Sequence, residues 1–522
     1  MRHAGKLASW IAGKFGYTHR DSSADRRPII VRGFNAAAVN RLTQNWTTTN
    51  LSSDAELRYA LPTLRARSRD QAINNDYAKK FIHLCKINVV GPSGVTLQVR
   101  PKDDNGLIDK PAGQAIEAAW REWGSAPNCD VTGRLSWLDI QKLFIESIMR
   151  DGEVIIRLAR GYAGNKFKFA LQLLEADHLD ETLNTELPNG AIIRMGVELN
   201  EWRRPVAYHI LTKHPGDWAY TASIRTQNRE RIPADEIIHA YLTDRIGQTR
   251  GIPWMACAMT RLNNLGAYEE AEIIASRVSA SKMGIVYTPS GTDYQGDDKQ
   301  DNNIIQEVEP GLITQLPHGW EFKEFDPTHP GQNFEGFIKA TLRGIASGLG
   351  VSYNSLASDL ESVNYSSMRA GSIEERDAWK ILQAFTIQTL CQPIFAEWLK
   401  LSILVQAIPL PNVKSDKYSA AYWQPRGWDW VDPMRDEEAN ILAINNGLKS
   451  RTMIAMERGF DLEDIADQLA AEEKMFKEKG VALAKPNQPS VGVSVSADAD
   501  DDASADDKEK SKGGKLYAVS QQ

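Results

Sequence analysis

The sequence runs to 522 residues, 42% of them hydrophobic and 25% charged, with 61 Lys and Arg against 68 Asp and Glu for a net charge of −7. That length exceeds what one hydrophobic core serves, so a few domains are expected, and the ordinary composition excludes a wholly disordered or fibrous chain. The acidic balance does not advertise the broad basic surface of a sequence-specific DNA binder, so any nucleic acid is expected to be handled without tight grip.

Residues 1–30, beginning MRHAGKLASWIAGKFGY, are basic and mildly apolar, but LASWIAG is too short and interrupted for a secretory segment, and the stretch reads as a flexible or interfacial arm. No apolar run approaches the ~18 residues of a membrane span, so no membrane contact is expected. Cys85, Cys129, Cys257 and Cys391 stand far apart with no CxxC pair, which reads as free buried thiols in a reducing cytoplasm.

From Ser53, ELRYALPTLRARSRDQAINNDYAKKFIHLCKINVVG predicts a helix to Leu61, a break at Pro62 and two further helical segments ending at Gly91. Arg58, Arg65, Arg67 and Arg69 make the stretch locally basic and read as a solvated helix face. GVTLQV follows as a strand, Pro111 to Trp123 and Trp137 to Met149 as helices, and Glu153 to Leu158 as a strand. FKFALQLL, AIIRMGVEL and PVAYHIL then alternate or run apolar, with turn residues such as Pro188, Asn189 and Gly190 between them, and IIHAY adds a short segment. These patterns predict an α+β body with an antiparallel sheet.

Arg250, Gly251, Ile252 and Pro253 open a long helical pattern with no further proline until Pro289. Helical from Pro253 to Met283, it would be roughly 45 Å long. Residues 284–332 switch to the short strand patterns GIVYTP, IIQEV, GLITQLP and WEFKEFDP around the acidic GTDYQGDDKQDNN, which describes a small exposed module.

The stretch from Phe334 to Ile403 organises the rest: helix, polar loop, longer helix. In the first helix Gly336, Ala340, Gly344 and Gly348 recur every fourth residue beside an apolar stripe of Phe337, Ile338, Leu342, Ile345 and Leu349, while Lys339 and Arg343 share a third face. Small residues let another backbone approach closely, so this helix is expected to be gripped by neighbours while showing charge elsewhere. The loop VSYNSLASDLESVN carries Tyr353, Asn354, Asp359, Glu361 and Asn364 with few apolar anchors and is expected to be mobile. In the second helix Pro393 is expected to kink or break the backbone. Helices then start at Pro433, Ser450 and Asp461 and end near Gly447, Gly459 and Gly480. Beyond Lys485 the chain turns acidic, lacks large apolar residues and reads as disordered.

One enzyme signal competes. Ser279-Ala-Ser-Lys282 matches SxxK, Ser352-Tyr-Asn354 matches SxN, and Lys512-Gly-Gly514 stands loosely where KTG would follow in penicillin-recognising serine enzymes. There a serine attacks from a helix N-terminus beside a lysine that helps remove its proton. Here Ser279 falls near the end of a predicted helix and the third element departs from KTG, so this serine acyl-transferring hydrolase stands only as the alternative. Nine histidines include no HExxH or paired spacing, Glu175, Asp177 and His178 read as a solvated turn, and neither GxGxxG nor GxxxxGK[ST] is present; no metal and no cofactor are expected.

Four pieces in order carry a resemblance: LRARSRDQAINNDYA (64–78) with VVG (89–91), DRIGQTRGIPWM (244–255), LRGIASGLGVSYNSLASDLESVNYSSMRAG (342–371) and GFDLEDIADQLAAEE (459–473). Over roughly residues 30–485 the chain resembles the lambda-type tailed-phage portal proteins. The resemblance implies a non-enzymatic homo-oligomer, a dodecameric ring at one capsid vertex of the virion, assembled in the host cytoplasm. Through it double-stranded DNA enters during packaging and leaves during infection. It also implies major capsid and scaffold proteins, terminase and head-tail completion proteins as partners.

On the portal fold, after the arm of residues 1–30, residues 31–252 would be the α+β wing, 253–283 a stem helix, 284–332 the clip and 333–350 the second stem helix. Residues 351–365 would be the tunnel loop, 366–432 a long kinked wing helix and return, 433–485 a helical crown, and 486–522 a disordered acidic tail. Tyr353, Asn354, Asp359, Glu361, Asn364 and Tyr365 would then face DNA, Lys339 and Arg343 would face the channel, and Gly336, Ala340, Gly344 and Gly348 would pack against the next subunit. A ring would explain the small and apolar helix faces, and an acidic conduit would avoid stalling DNA by phosphate binding.

Overall fold

The computed structural model describes residues 41, 47–102, 108–219, 228–280, 284–287, 321–324, 334–361, 364–411, 417–428, 433–458, 460 and 462–480. The expected N-terminal arm, acidic insertion within 284–332 and acidic tail therefore lie outside the described residues. The chain divides into two units, Met1–Arg426 and Gly427–Gln522.

In the first unit, α1 (Ser53–Asn74) starts where the Ser52 hydroxyl accepts a hydrogen bond from the Ala55 N–H. It runs through Pro62 without the expected break. Pro62 lies on the exposed side, so the carbonyl freed at exposed Arg58 meets water, while Leu57, Leu61, Arg65 and Ser68 are buried along the opposite face and hold the helix straight on. Asn75 ends α1 and caps α2 (Asp76–Cys85), which passes into a π-helical turn, Lys86–Val90, closed by Gly91 at φ 75°.

β1 (Thr96–Val99), α3 (Lys110–Trp123) and α4 (Trp137–Asp151) follow, the last opened by a reciprocal Ser136/Asp139 capping box. β2 (Glu153–Arg160) and β3 (Phe169–Leu174) come next, then a run of short strands: β4 (Thr185–Glu186), β5 (Ile192–Arg194), β6 (Val197–Leu199), β7 (Pro205–Leu211), β8 (Arg229–Pro233) and β9 (Ile237–Tyr241). They form two antiparallel sheets, β3-β2-β9 and the meander β4-β5-β6-β7-β8, as the alternating sequence patterns predict. Ile155, Val197, Tyr208, Ile210, Ile232 and Ile237 bury together between them.

A helical turn Trp254–Cys257 precedes α5 (Met259–Ala280). The helix therefore begins six residues after the expected Pro253, and its 22 residues span roughly 33 Å. Pro253 sits at φ −51°, ψ 127°, extended rather than helical. β10 (Gly284–Tyr287) and β11 (Glu321–Glu324) pair antiparallel, in agreement with the strand patterns at those positions.

α6 (Phe334–Leu349) leads to a short helix, Tyr353–Ala357, and then α7 (Tyr365–Thr386). A π-helical turn, Ile387–Cys391, joins α7 to α8 (Gln392–Leu404), whose second residue is Pro393; the widened turn absorbs the proline that the sequence marks as a kink. β12 (Ala421–Gln424) returns to pair with β1. Rings of Trp120, Trp123, Trp137, Trp398, Trp423 and Phe395 pack at centroid separations near 5–6 Å, tying α3, α4, α8 and β12 together. Cys85, Cys129 and Cys391 are buried as expected, whereas Cys257 is exposed, its thiol 3.1 Å from the Gly348 carbonyl.

The second unit holds α9 (Pro433–Asn445), α10 (Arg451–Glu457) and α11 (Leu462–Glu478), with Ser450 capping α10 as expected. Among the described residues no helix is long and apolar enough to cross a membrane.

Candidate functional site

The site grows from α6. Leu342, Ile345, Ala346 and Leu349 of α6 are buried, as are Leu262 and Leu265 of α5, the helix it packs on, and Tyr268 of α5 meets the rings of Phe334 and Phe337. The glycine stripe divides along its length. A Cβ at Gly344 would stand 2.5 Å from the Arg261 guanidinium of α5 and one at Gly348 would stand 3.4 Å from the Cys257 sulfur, so these two positions admit the chain's own α5 and the turn before it. At Gly336 a Cβ would meet nothing within 4 Å among the described residues, and Ala340 is exposed. The indole N–H of Trp254 donates to the Leu349 carbonyl at 2.8 Å, locking the end of α6 to the root of α5.

Lys339 and Arg343 turn toward the loop of their own chain. The Lys339 ammonium lies 2.6 Å from Glu335, 3.6 Å from Asp359 and 3.5 Å from Glu361, and the Arg343 guanidinium sits over the Tyr353 ring at 5.4 Å. The Tyr353 hydroxyl donates to Asp359 at 2.7 Å. That bond, with the Glu361 N–H and Lys339, holds the Asp359 carboxyl below its usual range, while burial and the same partner raise the Tyr353 phenol. The loop has more anchorage than the sequence suggests: Val351 and Leu356 are buried, Ser352 caps the short helix, and the Ser355 hydroxyl donates to Glu375 of α7 at 2.8 Å. Asn354 lies half-buried in that helix, and Asn364 caps α7, accepting from the Ser367 N–H, with Tyr365 as its first residue. The structure thus gathers Lys339, Arg343, Tyr353, Asp359 and Glu361 into one cluster, with Asn354 and Asn364 at its edges.

Sequence reading missed the group that roots this assembly. Arg65, read as part of a solvated face, is 1% exposed, and it donates to Glu153 at 3.1 Å and pairs with Glu181 and Asp177. Arg69 likewise pairs with Asp151 and Asp177. Glu153, fully buried on β2, also accepts from Arg250 at 2.6 Å, from the Gly251 N–H at 2.9 Å and from His239 at 2.9 Å. Burial alone would raise the Glu153 carboxyl, but Arg250 and His239 hold it well below the usual carboxylate range. Arg250 further donates to the carbonyls of Ala176, Leu179 and Met195. A buried acid therefore fixes the segment that launches α5. Its only sequence signal is Arg-Gly-Ile-Pro, legible as a helix start but silent about the partner on β2.

Other chemistry is accounted for. Glu175, Asp177 and His214 place ligand atoms within 4.8 Å of one another, but Arg69 lies 3.6 Å from Glu175 and also pairs with Asp177, and Arg65 lies 3.5 Å from Asp177, so cations of the chain already serve them. The hydrolase alternative finds no support. Ser279 belongs to the last turn of α5 rather than to a helix N-terminus, Lys282 lies outside the described residues, and the Ser352 hydroxyl is engaged as a cap.

Around the loop, polar groups are spent on holding helices together, which is the work of a structural component. The family model described as phage portal protein, lambda family, matches residues 39–383. The probable portal protein of Halomonas phage phiHAP-1 is 38% identical over 466 residues, spanning 88% of this chain and 89% of that one. Portal protein B of Escherichia phage lambda is 22% identical over 469 residues, spanning 82% and 86%. The chain belongs to the lambda family of phage portal proteins. Among solved structures, a chain titled as the neck of an empty GTA particle aligns over 77% of this chain and 94% of its own length, at 16% identity and a TM-score of 0.45.

Proposed function

We propose that the protein forms a homo-oligomeric ring, a dodecamer, at the portal vertex of a tailed-phage capsid, and that double-stranded DNA passes along its axis during packaging and ejection. On this reading the protein is a conduit and docking platform rather than an enzyme. It is assembled in the host cytoplasm with scaffold and major capsid proteins, and it is engaged first by terminase and then by head-tail completion proteins. The wing is 31–252 together with 366–432, the stem 253–283 and 333–350, the clip 284–332, the tunnel loop 351–365 and the crown 433–485. Gly336 and Ala340, open within one chain, serve the neighbouring subunit.

The observation that carries the reading is the family match across 39–383 joined to the cluster at the α6–loop junction. There two cations, Lys339 and Arg343, stand among three carboxylates, Glu335, Asp359 and Glu361, an acidic balance that disfavours retaining phosphate. Electron microscopy of the purified protein is expected to show ring particles of cyclic symmetry, and persistent monomers across a range of salt would refute the ring. Deleting 353–363 is expected to leave rings intact and to impair DNA packaging or retention; normal packaging by such rings would remove the loop from the lumen.

A further inference from the structure

The first unit contains a second polar site that the portal reading leaves unused. A cavity of about 540 Å³ opens beside the first turn of α1, with Arg58, Arg194 and Arg203 in its walls. None of these three arginines forms an ion pair with a described residue. Asp54 also lines the cavity, but its carboxylate accepts from the Thr249 N–H at 2.9 Å and hydroxyl at 2.7 Å. Tyr208, only 5% exposed, contributes a hydroxyl with no hydrogen-bond partner among the described residues. Arg58 rests over the Tyr59 ring at 5.2 Å, which leaves its hydrogen-bond donors unspent. Guanidiniums gathered around one space without a carboxylate repel one another, and a carboxylate-bearing ligand would relieve that repulsion with paired hydrogen bonds.

Large exposed apolar side chains belong to the lining or adjoin it in sequence, on well-anchored turns. Tyr59 is 78% exposed, Trp202, next to Arg203, 82%, and Ile246, next to Gly247 of the lining, 99%. Trp202 and Arg203 stand on a turn fixed by the Asn200 side chain, which accepts from the N–H groups of Trp202 and Arg204 at 2.9 Å each, with Arg203 held at φ 62°. The turn under Ile246 is fixed as firmly. The Gln248 side chain accepts from the Asp244 and Arg245 N–H groups, and Arg245 reaches back to Glu56 at 2.9 Å and the Leu51 carbonyl at 2.7 Å. Preorganised Trp, Tyr and Arg around a pocket are the residues that carry protein–protein affinity.

We propose that this cavity is a docking site for an acidic segment of a partner protein, its carboxylates entering between Arg58, Arg194 and Arg203 while its apolar side chains rest on Trp202 and Ile246. The aliphatic part of the lining, Val197, Leu199 and Pro205, offers nothing to a phosphate backbone, which favours polypeptide over nucleic acid. The chain's own residues 1–46, which lead toward Ser52, are strongly basic and complement the site poorly.

The test uses the full-length protein and a short fluorescein-labelled Glu/Leu-rich peptide, with a Lys/Leu peptide and a single-stranded oligonucleotide as controls, read by anisotropy. The acidic peptide is expected to bind in a salt-sensitive way. Arg194→Gln with Arg203→Gln should weaken it roughly tenfold, as should Trp202→Ala, which removes an exposed ring and leaves the melting temperature in place. Absence of acidic-peptide binding, or binding indifferent to both variants, would overturn the proposal. So would tighter oligonucleotide binding lost in the same variants, which assigns the site to nucleic acid. Protection of Trp202 and Ile246 from hydrogen exchange in purified protein alone would overturn it too, assigning the face to a second copy.

Discussion

Replacing Glu153 by Gln keeps the shape of the side chain and removes its charge. Five donors converge on that carboxylate: two nitrogens of Arg250, one of Arg65, the His239 ring and the Gly251 N–H. Arg65 and Arg250 are 1% and 0% exposed, so neither guanidinium can recover its hydration when the charge disappears. Breaking a buried pair from one side costs about 3–5 kcal/mol. The amide NH₂ of glutamine would also point a donor at donors, so the upper part of that range is expected. Urea unfolding followed by tryptophan fluorescence reads this directly, because Trp120, Trp123, Trp137 and Trp398 cluster in the same unit. A loss below about 1 kcal/mol would refute the claim that Glu153 organises the root of α5. Exchanging Glu153, Arg65 and Arg250 together for apolar residues, often neutral for a buried network, should remain destabilising here. The carbonyls of Leu179 and Met195 would lose the Arg250 donor at about 1–3 kcal/mol each, while that of Ala176 keeps the Leu179 N–H.

Three further outcomes follow from the geometry. Because the Glu153 carboxyl titrates below its unfolded value of 4.5, its contribution is full above about pH 4.5 and is lost as pH falls below it. Asp177 acts in the same direction and Glu181, raised by burial, against it; a melting temperature flat through the acidic range would contradict this. Gly251→Ala would drive a Cβ to 2.1 Å from the Gly152 carbonyl oxygen, and is expected to cost at least about 1–3 kcal/mol in melting experiments. A Cβ added at Gly336 meets no atom of a described residue within 4 Å, so Gly336→Leu should preserve the fold while lowering the yield of rings in size-exclusion chromatography; undiminished rings would take Gly336 out of the subunit contact.

Helices such as α3, α4 and α10 were legible because caps and apolar spacing are local signals, and the antiparallel strands because alternation is local too. Pro62 misled because its effect depends on which side of α1 faces water, a fact set by the distant segments that pack on the other side. Arg65 and Arg69 misled for the same reason, since Glu153 stands 88 residues from Arg65 and Asp151 stands 82 from Arg69. Charge runs report a solvated face only when no acid returns from elsewhere in the chain. At the candidate site, the helix and the polar loop were legible, whereas the coupling of Lys339 to Glu335, Asp359 and Glu361 required the loop to fold back on α6.

The pairing of β1 with β12 also sets a timetable for synthesis. Thr96 hydrogen-bonds to Gln424 across a separation of 328 residues. At about 5–20 residues per second of translation, β1 waits roughly 15–65 s for its partner to leave the ribosome. Until Trp398 and Trp423 are made, Trp120 lacks both of these partners and Trp123 lacks Trp398, and the nascent chain shows an incomplete aromatic surface. β1 has only four residues, too short an edge to recruit the equivalent strand of a neighbouring nascent chain effectively. Its brevity guards against premature association until the last strand of the unit closes the fold.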